Sequence, residues 1–322
     1  MLDLILIVAG LGGLVWSSDK FVDGAASIAR QAGISPLIIG MTIVSLGTSA
    51  PEIVVSIIAS LSGSGELAVG NALGSNITNI GLVLGVTLLI RTIAIDTSTT
   101  LRELPQMVAI TVIAGALMID GVLSVMDGAL LLFGLSVFLY LLAQRQSKPT
   151  HTESTESKSR LRAWVTFTIG LVALIASSRL LVVGAVNVAT TLGVSELVIG
   201  LTIVAIGTSL PELAASVVSA MKGHADMAIG AIVGSNVYNL LVVLAAPGLL
   251  GPLALNPNVM ARDWPATMLT TTLLFVLAWF AYRCAVKTPS SSAELGRRSG
   301  VLFLAIYVTY IGLLFMNPDF AS

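Results

Sequence analysis

The sequence predicts an all-α polytopic membrane protein of ten transmembrane helices, built as two inverted five-helix repeats with the second and third helices of each half broken. Three observations carry that expectation. Apolar stretches recur at membrane-spanning length, a sequence signature recurs at a fixed interval, and basic residues fall almost wholly into alternate loops.

The apolar stretches come first. Of the 322 residues, 56% are hydrophobic and only 10% charged, whereas a soluble chain carries about 25% charged residues. Crossing a hydrocarbon core of ~30 Å takes ~20 apolar residues. On that measure the spans fall near 3–29, 36–61, 67–90, 103–119, 125–143, 163–190, 196–220, 227–250, 264–283 and 299–316. The first and sixth are long and charged at their ends, as expected of helices that tilt or project into the interface. A polar linker, 144–162, rich in Ser, Thr and Lys and holding His151, Glu153 and Glu156, divides a first repeat (1–143) from a second (163–322). It is too short to fold as a regulatory domain.

Orientation follows from the cations. With the N-terminus placed outside, every Lys and Arg except Arg179 and Arg262 falls in an inside loop or at an inside span end. The positive-inside rule then puts both termini outside a plasma (inner) membrane. Met1-Leu2-Asp3 lacks a basic n-region, so no cleaved signal peptide is expected. The net charge of −1 says nothing about nucleic acid, and with no basic cluster a nucleic-acid partner is not expected. Cys284 is the only cysteine, so no internal disulfide forms.

The repeat is direct. Gly40-Met-Thr-Ile-Val-Ser-Leu-Gly-Thr-Ser-Ala-Pro-Glu52 returns as Gly200-Leu-Thr-Ile-Val-Ala-Ile-Gly-Thr-Ser-Leu-Pro-Glu212, 160 residues on. At the same interval Ser17-Ser18 matches Ser177-Ser178, Gly74-Ser75-Asn76 matches Gly234-Ser235-Asn236, Asn79 matches Asn239, and Arg102-Glu103 matches Arg262-Asp263. Five spans is an odd number, so the second half enters from the other side. Inverted repeats with discontinuous helices around a midplane site are the build of many secondary transporters, while channels are more often rings of identical subunits.

Each signature places a carboxylate at membrane depth, where ionisable groups are costly and functional. Pro51 and Pro211 have no N–H, which frees the carbonyls of Gly47 and Gly207 four residues back. Unpaired carbonyls cannot face lipid, so they are expected to line a cavity or meet a cation. Thr48, Ser49, Thr208 and Ser209 add hydroxyls beside Glu52 and Glu212. Such an all-oxygen set suits a hard cation such as Ca²⁺, which takes six to eight oxygens. The absence of His and Cys argues against Zn²⁺ or Cu⁺. In the next span, Ser75 and Asn79, like Ser235 and Asn239, stand i, i+4 on one helix face. Ser75 and Ser235 fit a ligand or an interhelical hydrogen bond equally well. Asn76 and Asn236, on another face, suit helix–helix bonding. Two ionised glutamates are neutralised by one Ca²⁺, two Na⁺ or two protons, and an empty ionised site is strongly disfavoured in low dielectric.

At these residues the chain resembles the cation/calcium exchanger superfamily, and within it prokaryotic sodium/calcium antiporters. The paired Gly-Thr-Ser-x-Pro-Glu blocks, each followed by Gly-Ser-Asn-x-x-Asn, carry the resemblance over both halves. It implies alternating exchange of Ca²⁺ against Na⁺ as transported ions, with no cofactor and no obligate protein partner besides the lipid bilayer. It implies calcium ligation by Glu52 and Glu212 with the carbonyls of Thr48 and Thr208. Sodium ligation is implied at Ser49, Ser75, Ser209 and Ser235 with the carbonyls of Ser45 and Ala205, and a midplane polar pair at Asn79 and Asn239. The first and sixth spans correspond to a sliding pair that opens the site to either side. Members often carry Asp at one of the midplane positions. Here both are amides, so two carboxylates remain, which weakens the case for three sodium ions and for potassium coupling.

Ca²⁺/H⁺ antiport fits the same two carboxylates, and a passive cation channel is the rival from another class. No nucleophile–base set is present, so an enzyme is not expected. Asp19 and Asp23 are expected to pair with Lys20 at a solvated helix end. Asp120 and Asp127 are read as interfacial groups or a weak attraction for cations, and His224 as a surface residue in a turn. Trp16, Trp164, Trp264 and Trp279 resemble interfacial anchors.

Overall fold

The computed structural model describes residues 2–146, 160–193, 205–287 and 293–316. Helix α1 (Leu2–Ala32) is followed by α2 (residues 36–61), α3 (Gly65–Ile90), α4 (residues 99–117) and α5 (Val125–Ala143). After the linker come α6 (Arg160–Thr191), α7 (residues 205–221), α8 (Ala225–Leu249), α9 (Val259–Lys287) and α10 (Arg297–Met316). Most of the 144–162 linker and the start of the span expected at 196–220 lie outside the described residues. Among the described residues, seven helices are long and apolar enough to cross a membrane, and the bent α2 makes an eighth. Their outward faces carry Val8, Val15, Phe133, Val172 and Phe280 fully in the open, an apolar surface on a scale that marks a lipid-facing wall.

The helices nearest the centre are α3 and α8, both long and both largely enclosed. With no hydrophobic gain between helices in lipid, close approach of small residues supplies the packing. A Cβ on Gly230 would sit 2.5 Å from the Leu37 carbonyl oxygen, and one on Gly40 2.6 Å from that of Met227. So α8 lies flush on the first part of α2. Helix α1 runs along α6, with Gly10, Gly24, Gly170 and Gly184 at points of main-chain contact between them.

The broken helices divide into two kinds. Helix α2 breaks at Ser49, where residues 36–48 and 50–61 meet at 46°, as Pro51 in the first turn of the second segment requires. The break expected in the third helix of each half is not there. Both α3 and α8 run on without interruption, and each contains a π-helical turn, Asn79–Leu84 and Asn239–Val243. Gly81 and Gly85 loosen α3, but no proline stands at the centre of either helix, so the chain widens by one residue instead of breaking. Such widened turns recur at functional positions. Another pair, Thr99–Glu103 and Val259–Asp263, opens α4 and α9 at the same interval.

Two short antiparallel ladders join the halves crosswise. Strand β1 (Ile93–Ala94) pairs with β4 (Glu294–Leu295), and β2 (Val122–Leu123) with β3 (Leu253–Ala254). At one end of the bundle lie Arg30, Arg91, Lys222 and Arg297; Arg91 reaches the Met221 carbonyl and Arg297 that of Leu89. Each half also buries an acid where its fourth helix starts. Glu103 meets Arg145 at 2.9 Å, and Asp263 meets Arg262 at 2.7 Å and the Tyr310 hydroxyl at 2.9 Å. Trp264 is no simple interfacial anchor, since its indole N–H donates to the Thr111 carbonyl at 3.2 Å. Asp127 forms a capping box with Ser124 at the start of α5, and Asp120 accepts the Val122 N–H; both have local structural duties.

Gly230→Ala should lower the melting temperature of detergent-solubilised protein, an overpacking cost of about 1–3 kcal/mol. Gly70→Ala, at the repeat-related site where nothing among the described residues lies within 4 Å, should hold it or raise it by up to ~1 kcal/mol. Equal melting shifts for the two would remove close packing of α8 on α2 as the reason for Gly230.

Candidate cation site

The two signatures fold alike. Ser49 (φ −82°, ψ 3°) and Ser209 (φ −92°, ψ 5°) leave helical geometry, and a new helical segment starts at once with proline in its first turn. That puts Glu52 and Glu212 each in the opening turn of a segment, where unpaired backbone N–H groups and the helix dipole favour an anion. Both side chains are buried, 1% and 3% exposed.

The halves then meet. The Ser49 hydroxyl donates to Oε1 of Glu212 at 3.1 Å, so the first signature touches the acid of the second. Glu52 and Glu212 lie close enough to repel each other. Around them are buried polar atoms with no hydrogen-bond partner among the described residues: Oε2 of Glu52 and of Glu212, the hydroxyls of Ser209 and Ser235, Oδ1 of Asn79, and both amide atoms of Asn239. A buried polar group left unpaired costs about 1–3 kcal/mol. Six of the residues singled out from sequence thus concentrate the unmet polar demand of the interior. The Ser235 hydroxyl makes no hydrogen bond among the described residues. Among the described residues no three His, Cys, Asp or Glu side chains converge anywhere, so whatever this site holds meets two carboxylates and otherwise neutral oxygens.

Ser45, Thr48, Ser49 and Ser75 are all buried beside this region, and Thr208 is half-buried. A Cβ on Gly234 would fall on the Ser45 hydroxyl, which sets Ser45 against α8 next to Ser235. The Ser45 carbonyl already accepts the Ser49 N–H at 2.9 Å and the Thr48 hydroxyl at 3.3 Å. Ala205 begins α7. Asn76 and Asn236 take the helix-bonding role expected of them: the Asn76 amide donates to the Asn236 carbonyl at 3.2 Å. Asn236 Oδ1 also accepts from Asn79 at 3.4 Å.

One expectation needs correcting. The Gly207 carbonyl freed by Pro211 is not left for a cation, because the Ser178 hydroxyl of α6 donates to it at 2.8 Å. Ser178 had stood out only as a match to Ser18, whose own hydroxyl bonds Val15 locally. Asn71 was also missed as a participant. Its amide donates to the main-chain carbonyl of Glu52 at 3.0 Å and ties α2 to α3. The repeat-related residue is Ala231, so Glu212 has no such tether; that inequality between the halves was the available signal.

The chain is similar to known proteins over nearly its whole length. The family model described as sodium/calcium exchanger protein matches residues 2–144 and again 162–316. The chain is 42% identical to a putative antiporter, CaxA, of Alkalimonas amylolytica over 97% of this chain and 98% of that one. It is 37% identical to the inner membrane protein YrbG of Escherichia coli over 98% and 97%. Among solved structures it resembles the sodium-calcium exchanger NCX_Mj, at a TM-score of 0.83 and 32% identity, covering 97% of this chain and 99% of that one. With two buried acids brought together by a twofold-repeated motif, and with that motif's family matched on both halves, the chain belongs to the sodium/calcium exchanger protein family.

Proposed function

We propose that the chain exchanges Ca²⁺ for Na⁺ across the membrane by alternating access, with Glu52 and Glu212 as the central carboxylate ligands. The observation that carries this reading is the meeting of two buried glutamates, one from each half, amid unpaired oxygens. Ca²⁺ takes both carboxylates and the carbonyls of Thr48 and Thr208. Na⁺ takes the hydroxyls of Ser49, Ser75, Ser209 and Ser235 with the carbonyls of Ser45 and Ala205, and Asn79 and Asn239 complete the midplane. The frame is ten spans in two inverted halves, 1–143 and 163–322, with both termini outside the plasma membrane. The double match of one family model and the recurrence of π-turns at the repeat interval support it.

Charge dictates the coupling. Two buried carboxylates cannot cross a low-dielectric barrier uncompensated, so the loaded forms move and the empty form stalls. That makes exchange obligatory. A cation channel has no such requirement. One Ca²⁺ against two Na⁺ leaves the site neutral in both directions. Two protons would do the same, and the amides at Asn79 and Asn239 favour this second reading, Ca²⁺/H⁺ antiport, over any scheme needing a third carboxylate.

Ca²⁺ uptake into proteoliposomes loaded with sodium should follow the imposed sodium gradient; uptake that ignores sodium and acidifies the counter-compartment selects the proton reading. Glu52→Gln or Glu212→Gln should weaken calcium binding on the order of 100-fold or more and stop exchange in folded protein. Retained exchange in either variant contradicts the ligand assignment. Asn239→Asp should change the number of sodium ions or protons moved per calcium, and an unchanged ratio takes Asn239 out of the coordination.

A further inference from the structure

Helix α1 packs lengthwise on α6, and the glycine contacts between them make a smooth seam. At one end α1 is also tied to something else. The Lys222 ammonium, in the turn between α7 and α8, lies 2.6 Å from Asp19 Oδ1 and 2.7 Å from Asp23 Oδ1, and donates to the Asp19 carbonyl at 3.2 Å. Lys20, the partner expected from sequence, is the more distant one at 3.3 Å. Burial pulls the Lys222 ammonium's pKa down, but the two aspartates outweigh it and the pKa is raised. Lys222 is one-quarter exposed and the two aspartates about two-fifths, so the cluster sits partly open at the surface.

The second half has no equivalent. At the repeat-related positions stand Arg179, Val183 and Ser62, which cannot form two carboxylate–ammonium pairs. At the clamped end Gly230 and Gly234 of α8 are buried against Leu37, Met41 and Ser45 of α2. Of their counterparts on α3, Gly70 is exposed and Gly74 half-buried, and the residues repeat-related to Leu37 and Met41 lie outside the described residues.

We infer that the Lys222–Asp19–Asp23 clamp is a one-ended latch, which fastens α1 to the α7–α8 turn and holds the protein shut at its cation-rich end. Opening that end requires α1 to leave the turn, and so to break both ion pairs. The repeat-related positions Arg179, Val183 and Ser62 cannot form this pair of ion pairs at the other end, so the latch biases which state predominates. The inference rests on the alternating-access reading, but its test does not need transport.

In a Cys284→Ser background, Gly70→Cys and Ala231→Cys report the two ends by their rate of modification with a water-soluble maleimide in detergent. Adding Lys222→Gln should raise labelling at the Ala231→Cys site about two- to tenfold and slow it at the Gly70→Cys site, as loss of two partly exposed ion pairs shifts the population. Lys222→Arg should keep the original rates. Reversing the pair, Lys222→Asp with Asp23→Lys, should restore them at least in part, which a general loosening of the fold would not. The latch is overturned if Lys222→Gln leaves both rates unchanged or raises both together. Calcium flux through the same variants in vesicles reports separately on exchange: a latch effect without flux would sink the transport reading and spare the latch.

Discussion

Everything in this fold answers to two carboxylates enclosed in a medium that does not tolerate bare charge. Glu52 and Glu212 lie near enough to repel each other, and the protein answers in part, with the Ser49 and Thr48 hydroxyls at Glu212 and the opening turns of two helix segments. In the proposed exchange the remaining cost is met by positive charge taken from solution. The proline breaks place the acids at segment starts, and the π-turns in α3 and α8 begin at the asparagines that face them.

The two halves are not equal. Asn71 tethers the main chain at Glu52 while Ala231 leaves Glu212 without a counterpart. Ser178 caps the freed Gly207 carbonyl while Ser18 turns back on its own helix. A duplicated scaffold supplies equivalent positions on both sides of a site. Small substitutions in one copy then give the two sides different energies, which a carrier working along a gradient can use.

Much of this was legible in the residues because the signals were long or repeated. Span lengths, the interval of the repeat and the converging acids depend on hydropathy and on proline chemistry, which act locally. The signature motifs also carried a family resemblance, which supplied ligand roles that spacing alone does not. What could not be read depends on which side chains meet across the bundle. Proline signals a break, so α2 was legible; a π-turn has no comparable residue signal, so the continuity of α3 and α8 was not. Likewise Asp19 has Lys20 beside it in sequence, but the turn carrying Lys222 folds against it and wins on distance. Ser178 and Asn71 were visible as residues, yet their acceptors are main-chain carbonyls on other helices, which carry no side-chain signature.

One small contact has a longer reach. Pro247 in α8 can give no N–H to the Val243 carbonyl one turn back, and the Ser56 hydroxyl from α2 supplies the bond at 2.7 Å. In the mirrored position Thr87 bonds Val83 within its own helix at 2.7 Å, and the Ser216 hydroxyl has no partner among the described residues. A serine in one half thus answers for a proline in the other. Removing the Ser56 hydroxyl while Pro247 stays takes away this bond to the Val243 carbonyl, and the proline cannot replace it.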